Sequence, residues 1–352
     1  MKSRIIDSHF HIYEWDNEEF GNFYKATERY IEDGGFYTIN INALPSVERD
    51  VSNNILAALF KLRHPEVYTH GGLIYESYPL SADYAKSTDS AAQYRELMQI
   101  GFDGIKLLET KPSQQKVIGS TIDSEYYEGM FELAEKDGTH FVWHIADPPC
   151  FWDPEKAPKS AFESGWFYGD GAFPSYEDIY RQVFRVLERH PMLNVTFAHF
   201  TFLSAHPERV EEIFKKYPNV NFDITPASEI YADFAENYSD YRNFFSKYSD
   251  RIEYGTDCSD QRRLCDKLYN ARIVRDFLAT DKLDGIWGFP LKGIKLDDTA
   301  LDNILCNNFL RHMGEKPKTI NTTALKEYFE KYRHLITDKN IERKIEKELT
   351  RK

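Results

Sequence analysis

A chain of 352 residues with 41% hydrophobic and 29% charged side chains has the balance of an ordinary globular protein, which excludes the disordered and fibrous classes. Its formal net charge of −13 argues against nucleic acid or an anionic membrane as the main partner, because both call for a surplus of Lys and Arg; a small-molecule substrate is expected instead. With no apolar leader and no apolar run of bilayer length, the expectation is a cytoplasmic protein, free to form a homo-oligomer.

The first predicted strand contains Arg4-Ile5-Ile6-Asp7-Ser8-His9-Phe10-His11-Ile12-Tyr13. Extended, it puts Asp7, His9 and His11 on one face and Ile6 and Phe10 on the other, a polar lining with a packed back. Neutral imidazole is a common metal ligand, and His-x-His on a strand brings two within reach of one ion. Taken alone, the motif also fits a half-exposed strand that happens to carry two histidines.

Further along, a helical pattern ends at Gly34-Gly35 and a strand follows over 36–43. Pro45-Ser46 opens a helix with apolar residues at Val47, Val51, Ile55, Ala58, Leu59 and Leu62, stopped by His64-Pro65. Next come a strand over 67–75, a helix from Ser90 to Ile100 closed by Gly101, a strand over 104–108, a helix over 124–136 and a strand over 141–145. The segment 147–175 is long and irregular, rich in proline and carrying Trp152, Trp166, Phe167 and Tyr168. Its aromatic content points to a lid, or to a loop packed onto the domain. Strands over 195–199, 220–226 and 251–257 alternate with helices over 176–190, 207–217, 238–248 and 264–278, and 297–352 reads as three helices, the last a solvated charged face. Cys150, Cys258, Cys265 and Cys306 lack Cys-x-x-Cys spacing, so buried free thiols are expected.

Eight strands alternating with helices give an α/β fold, the (β/α)8 TIM barrel. The rival doubly wound sheet would need Gly-x-Gly-x-x-Gly after its first strand, and that motif is missing. The expected organisation is a catalytic barrel over 1–314, with the lid-like insertion at 147–175, and a C-terminal helical extension over 315–352. Catalytic groups of such a barrel sit at the carboxyl ends of its strands. The predicted strand ends carry His9 and His11, His144, His199 and Asp257, which together suit a catalytic zinc-type site. Singly, each is more often a hydrogen-bonded structural residue.

Asp7-Ser8-His9-Phe10-His11, Gly101-Phe102-Asp103-Gly104-Ile105-Lys106-Leu107, His144, Asn194-Val195-Thr196-Phe197-Ala198-His199, Gly255-Thr256-Asp257 and Ile304-Leu305-Cys306-Asn307-Asn308-Phe309 resemble the amidohydrolase superfamily. The similarity is to its amidohydrolase-related (amidohydrolase 2) branch of metal-dependent TIM-barrel hydrolases and decarboxylases, over about residues 4–314. It implies one divalent metal ion, with zinc expected, on His9, His11, His144 and Asp257. Asp257 would take a proton from metal-activated water, and His199 would face the substrate, with an additional ligand role for His199 left open. Asp7, deeper on the strand face, is expected to orient an imidazole. Lys106 stands where binuclear relatives have a metal-bridging lysine, but Gly-Ile-Lys-Leu belongs to the mononuclear branch; substrate contact or packing of its stem at the barrel mouth is expected. Leu108-Glu109 departs from the His-Pro of many relatives.

Arg262 and Arg263 are candidates to hold a substrate carboxylate, with solvated loop arginines as the alternative. Trp166 is the candidate to cover an organic ring. The leading function is metal-dependent hydrolysis of a small carboxylate-bearing ester, lactone or amide. Nonoxidative decarboxylation of an aromatic or unsaturated acid is the alternative, and a non-catalytic ligand-binding barrel the third reading.

Overall fold

The computed structural model describes residues 4–45, 49–75, 79–80, 90–286 and 288–351. Strands β1 (Ile6–His11), β2 (Thr38–Asn42), β3 (Tyr68–Gly72), β4 (Gly104–Thr110), β5 (His140–Ile145), β6 (Asn194–Phe197), β7 (Val220–Asp223) and β8 (Ile252–Glu253) pair in parallel in sequence order. A two-residue strand, β9 (Cys258–Ser259), pairs with the other side of β1, Phe10 opposite Cys258 and His11 opposite Ser259. Of the eighth strand predicted over 251–257 only Ile252–Glu253 is strand; β9 begins just beyond its predicted end, and Asp257, at φ +51°, lies in the break between β8 and β9. Backbone bonds Ser8 N–Tyr254 O (3.1 Å), Asp257 N–His9 O (2.9 Å) and Asp260 N–His11 O (3.1 Å) carry the closure across it. The sheet thereby closes into a TIM barrel.

Apolar strand residues such as Ile41, Ile105, Leu107, Phe141, Trp143 and Phe222 are fully buried in the main hydrophobic core. Crossing the barrel is a polar chain instead: Asn40 Oδ1–His70 Nδ1 (2.8 Å), His70 Nε2–His140 Nδ1 (2.9 Å), His140 Nε2–Thr196 Oγ1 (2.9 Å) and Thr196 Oγ1–Glu253 Oε1 (3.0 Å). Gly104 on β4 lies in register between His70 and His140, and a Cβ there would come within 2.4 Å of both the His70 ring and the His140 carbonyl oxygen.

The helix Phe23–Gly34 ends at Gly35 in the left-handed conformation (φ +67°), as predicted. The helix expected from Pro45-Ser46 runs Ser52–Arg63, with Ser46 and Val47 outside the described residues. Helices Pro112–Ile118 and Ser228–Glu236 and a hairpin of Leu283–Ile286 with Phe289–Lys292 add to the predicted pattern. Segment 147–175 carries a turn of 3₁₀ helix, Pro149–Trp152, a short helix, Lys159–Glu163, and a small core of Phe151, Ala161 and Tyr168. All four cysteines are free, but Cys265 is exposed and Cys150 half-buried, against the expectation of buried thiols; Cys265 sits in the first turn of an outer helix, Leu264–Ala279.

Beyond the barrel, helices Thr322–Tyr332 and Lys339–Thr350 pack on its outer helices. Lys318 N bonds Asp103 Oδ1 (2.7 Å), Asn321 N bonds Ile100 O (2.8 Å), and Asn54 Nδ2 bonds the Tyr328 hydroxyl (2.9 Å). Among the described residues no helix is long and apolar enough to cross a membrane.

Candidate metal centre and active site

β1 delivers His9 and His11 side by side, with ring centroids 5.1 Å apart. His9 Nδ1 lies 2.8 Å from Asp223 Oδ2 at the end of β7, and His11 Nδ1 lies 2.7 Å from Asn42 O at the end of β2. A carboxylate and a carbonyl only accept, so each Nδ1 carries the hydrogen and each Nε2 keeps its lone pair. Those lone pairs converge on a third acceptor: Asp257 Oδ1 lies 3.0 Å from His11 Nε2 and 3.9 Å from His9 Nε2. Donor atoms of His9, His11 and Asp257 all lie within 4.8 Å of one another. Two neutral imidazoles with a carboxylate are a fitting donor set for a divalent ion.

Electrostatics keep the set in that form. Burial, with Lys106 beside it, brings His9 down to about 3, and burial lowers His11 as well, so both are neutral at pH 7. For Asp223 burial acts upward, but the charge and hydrogen bond of His9 win and hold the carboxyl at about 2. Asp257 keeps 31% of its side chain exposed; against the upward pull of burial, the adjoining His11 ring holds it well below the carboxylate range. Lys106 is buried, its Nζ 3.2 Å from His9 Nε2, and burial draws it down to about 8 despite Asp223 and Asp257. Its ammonium therefore sits next to the nitrogen His9 would offer a metal.

The His144 and His199 rings meet edge to face, their centroids 5.0 Å apart. His144 Nε2 bonds Ala146 O (2.8 Å) and Asp147 Oδ1 (3.3 Å), so the hydrogen is on Nε2. Nδ1 makes no hydrogen bond among the described residues. His144 lies outside the tight group of His9, His11 and Asp257. His199 opens a left-handed turn in which His199, Phe200, Thr201 and Phe202 all have positive φ (56°, 50°, 46° and 51°). Its backbone N–H bonds Asp223 Oδ1 (2.8 Å) and its Nδ1 lies 3.3 Å from Thr225 O, which leaves Nε2 as a base. Non-glycine residues rarely adopt this conformation, and here Ala146, His199 and Asp257 all do so at strand ends.

Asp7 does not orient an imidazole. It accepts from the Tyr30 hydroxyl (2.8 Å), Thr256 N and Oγ1 (3.0 and 2.7 Å) and His9 N (3.2 Å), tying β1 to the turn that carries Asp257. The orienting groups are Asp223 and Asn42, hidden from sequence because each is remote in the chain and reads as an ordinary strand residue. Arg263, 76% exposed, pairs with Asp266 in the next helical turn (2.8 Å), as the solvated-loop alternative expects. Trp166 lies over Lys111 Nζ (4.5 Å) and packs in the core of segment 147–175. Arg262 is exposed and makes no direct ion pair among the described residues, although Asp266 feels its charge. Arg49, which sequence reading passed over, lies 3.5 Å above the Tyr13 ring, and Tyr13 stacks on His11 at 5.3 Å.

No family model matches the chain, and no curated protein matches it. Solved structures do. An uncharacterised TIM-barrel protein from Bordetella bronchiseptica aligns at TM-score 0.57 and 13% identity, over 89% of this chain and 99% of that one. 2,6-Dihydroxybenzoate decarboxylase from Rhizobium aligns at 0.52 and 14%, over 89% and 99%. A "probable 2-pyrone-4,6-dicarboxylic acid hydrolase" from Acinetobacter baumannii, with citric acid bound, aligns at 0.53 and 11%, over 88% and 99%. The fold is the one these barrel proteins share. This TIM barrel spans nearly their whole length, so the strand ends that carry His9, His11, His144, His199 and Asp257 lie on the face where barrels of this fold keep their catalytic groups.

Proposed function

We propose that this chain is a metal-dependent hydrolase of small carboxylate-bearing esters, lactones or amides, with one divalent ion, zinc, held by His9, His11, Asp257 and, through Nδ1, His144. The reading rests on the meeting of the His11 Nε2 lone pair with Asp257 Oδ1 at 3.0 Å, beside the His9 lone pair. When bound, zinc supplies Lewis acidity that polarises a carbonyl and acidifies water. Asp223 and Asn42 hold the two β1 rings so that Nε2 faces inward. Asp257 accepts the proton of the attacking water and returns it to the leaving oxygen or nitrogen as the acyl bond breaks. His199, aimed by its contacts to Asp223 and Thr225, carries its Nε2 toward the reacting carbonyl. Two guanidiniums that make no direct ion pair among the described residues, Arg49 and Arg262, give a substrate carboxylate a cation to pair with.

Decarboxylation is the second reading, supported by the 2,6-dihydroxybenzoate decarboxylase likeness, one structure of which holds 2,6-dihydroxybenzoate. Zinc-loaded protein screened against lactones and esters of carboxylic acids, and against hydroxybenzoic acids, separates the two. Acid release without carbon dioxide is expected; carbon dioxide release from an acid would establish decarboxylation. Turnover that persists after chelation would contradict the metal-dependent reading.

A further inference from the structure

Asp147 follows β5 by two residues, and its carboxylate gathers three donors from three parts of the chain. Lys111 Nζ donates to both oxygens (2.8 and 2.7 Å), the Tyr168 hydroxyl to Oδ2 (2.5 Å), and His144 Nε2–H lies 3.3 Å from Oδ1 while bonding Ala146 O. Ala146, at φ +58°, makes the turn that folds its own carbonyl and Asp147 back onto the His144 ring. Tyr168 belongs to the small core of segment 147–175, Lys111 lies beneath Trp166, and Lys116 lies 4.2 Å from the Phe173 ring. The aromatic segment is thus fastened to the site through one buried carboxylate.

We propose that Asp147 is a positioning residue that makes the seating of segment 147–175 and the presentation of His144 Nδ1 a single event. Fixing the hydrogen on His144 Nε2 leaves Nδ1 as the free nitrogen, and the same carboxylate clamps Tyr168. Loosening either partner therefore loosens the other. The inference rests on the reading of His144 as a metal ligand only for its consequence in metal affinity; the coupling itself is a property of the chain.

Two measurements test it, both on the full-length protein. In metal-free protein, side-chain ¹⁵N spectra should give His144 as the Nε2–H tautomer, and Asp147→Asn should mix the tautomers and speed amide hydrogen exchange across 149–175. Tyr168→Phe should do both to a smaller degree without altering exchange in β5, and Asp147→Glu should restore part of each. In zinc titrations against a chromophoric chelator, Asp147→Asn should weaken binding about 10- to 100-fold. An unchanged tautomer with faster segment exchange, or the converse, would overturn the coupling whether or not zinc binds. Wild-type protein that takes up no zinc while the metal-free results hold would instead refute the metal reading and leave the coupling standing.

Discussion

At the residue scale the site is an argument about where hydrogens sit. Asn42 O and Asp223 fix them on the Nδ1 atoms, and the two Nε2 lone pairs are turned toward Asp257. Asp223→Asn keeps the shape but loses the charge opposite His9, and zinc affinity is expected to fall about 10- to 100-fold with the fold intact; calorimetric titration reads this directly. Asp257 and His199 should fail in different ways. Asp257→Asn keeps one oxygen donor and removes the base, so turnover should collapse while some metal remains. His199→Asn should keep wild-type metal content and lose about 10²- to 10⁴-fold in turnover. Loss of metal from His199→Asn as complete as from His9→Asn would make His199 a ligand. Sequence showed His9, His11 and Asp257 because the parity of a strand and the end of a strand are local signals. It misplaced Asp7, whose parity is right but whose depth brings it against Tyr30 and Thr256.

Elements show the same division. The first seven strands were legible within a few residues because buried parallel strands are short apolar runs between turn signals. The eighth, read over 251–257, is strand only at Ile252–Glu253, and the pairing with β1 is made by Cys258–Ser259 past its predicted end, because the positive φ of Asp257 goes with the closure of the barrel on β1 and has no local sequence signal. The helix Ser228–Glu236 was missed because its buried apolar residues are few and interleaved with acids, Ile230, Tyr231 and Phe234 among Glu229, Asp233 and Glu236. Gly104 is where an element depends on one atom. Gly104→Ala would push a methyl into the His70 ring and the His140 carbonyl, at a cost of about 1–3 kcal/mol or more. A lower melting midpoint is expected, and an unchanged one would mean the His70–His140 contact is dispensable.

For the whole molecule, the chain of polar residues across the barrel makes a prediction about pH. Asn40 Nδ2 is committed to Ser8 O and Asn42 Oδ1, so Asn40 Oδ1 must accept from His70 Nδ1–H. His140 Nδ1–H then donates to His70 Nε2, and the Thr196 hydroxyl to His140 Nε2, with both imidazoles neutral. Thr196 has a single hydrogen, so Glu253 must supply the one between them and is itself protonated. Burial agrees, pushing Glu253 up to about 8 against the pull of Thr196 and Arg311, with Asp223 adding to the rise; His312, 4.0 Å away, is the other titratable neighbour and is lowered to about 4 by burial. The folded state thus holds a proton that an unfolded glutamate near 4.5 releases. This contribution to stability is fully present below about 4.5 and declines as pH rises toward 8, by at most about 5 kcal/mol in all. Glu253→Gln keeps the donor and should flatten that decline, with a melting midpoint above wild type at pH 8; a parallel decline in both proteins would refute the protonated glutamate.

The barrel itself was readable from eight alternations of strand and helix, whereas the floor network was not, since its members come from five strands and each looks like an isolated polar residue. The central claim remains the cation at His9, His11, Asp257 and His144. Elemental analysis of protein purified without chelator, beside a His11→Asn variant of intact fold by circular dichroism, tests it most directly. The account predicts about one zinc or other divalent ion per chain in the wild type and a large loss in the variant. A folded wild-type protein that contains no metal and takes up none on reconstitution would contradict it.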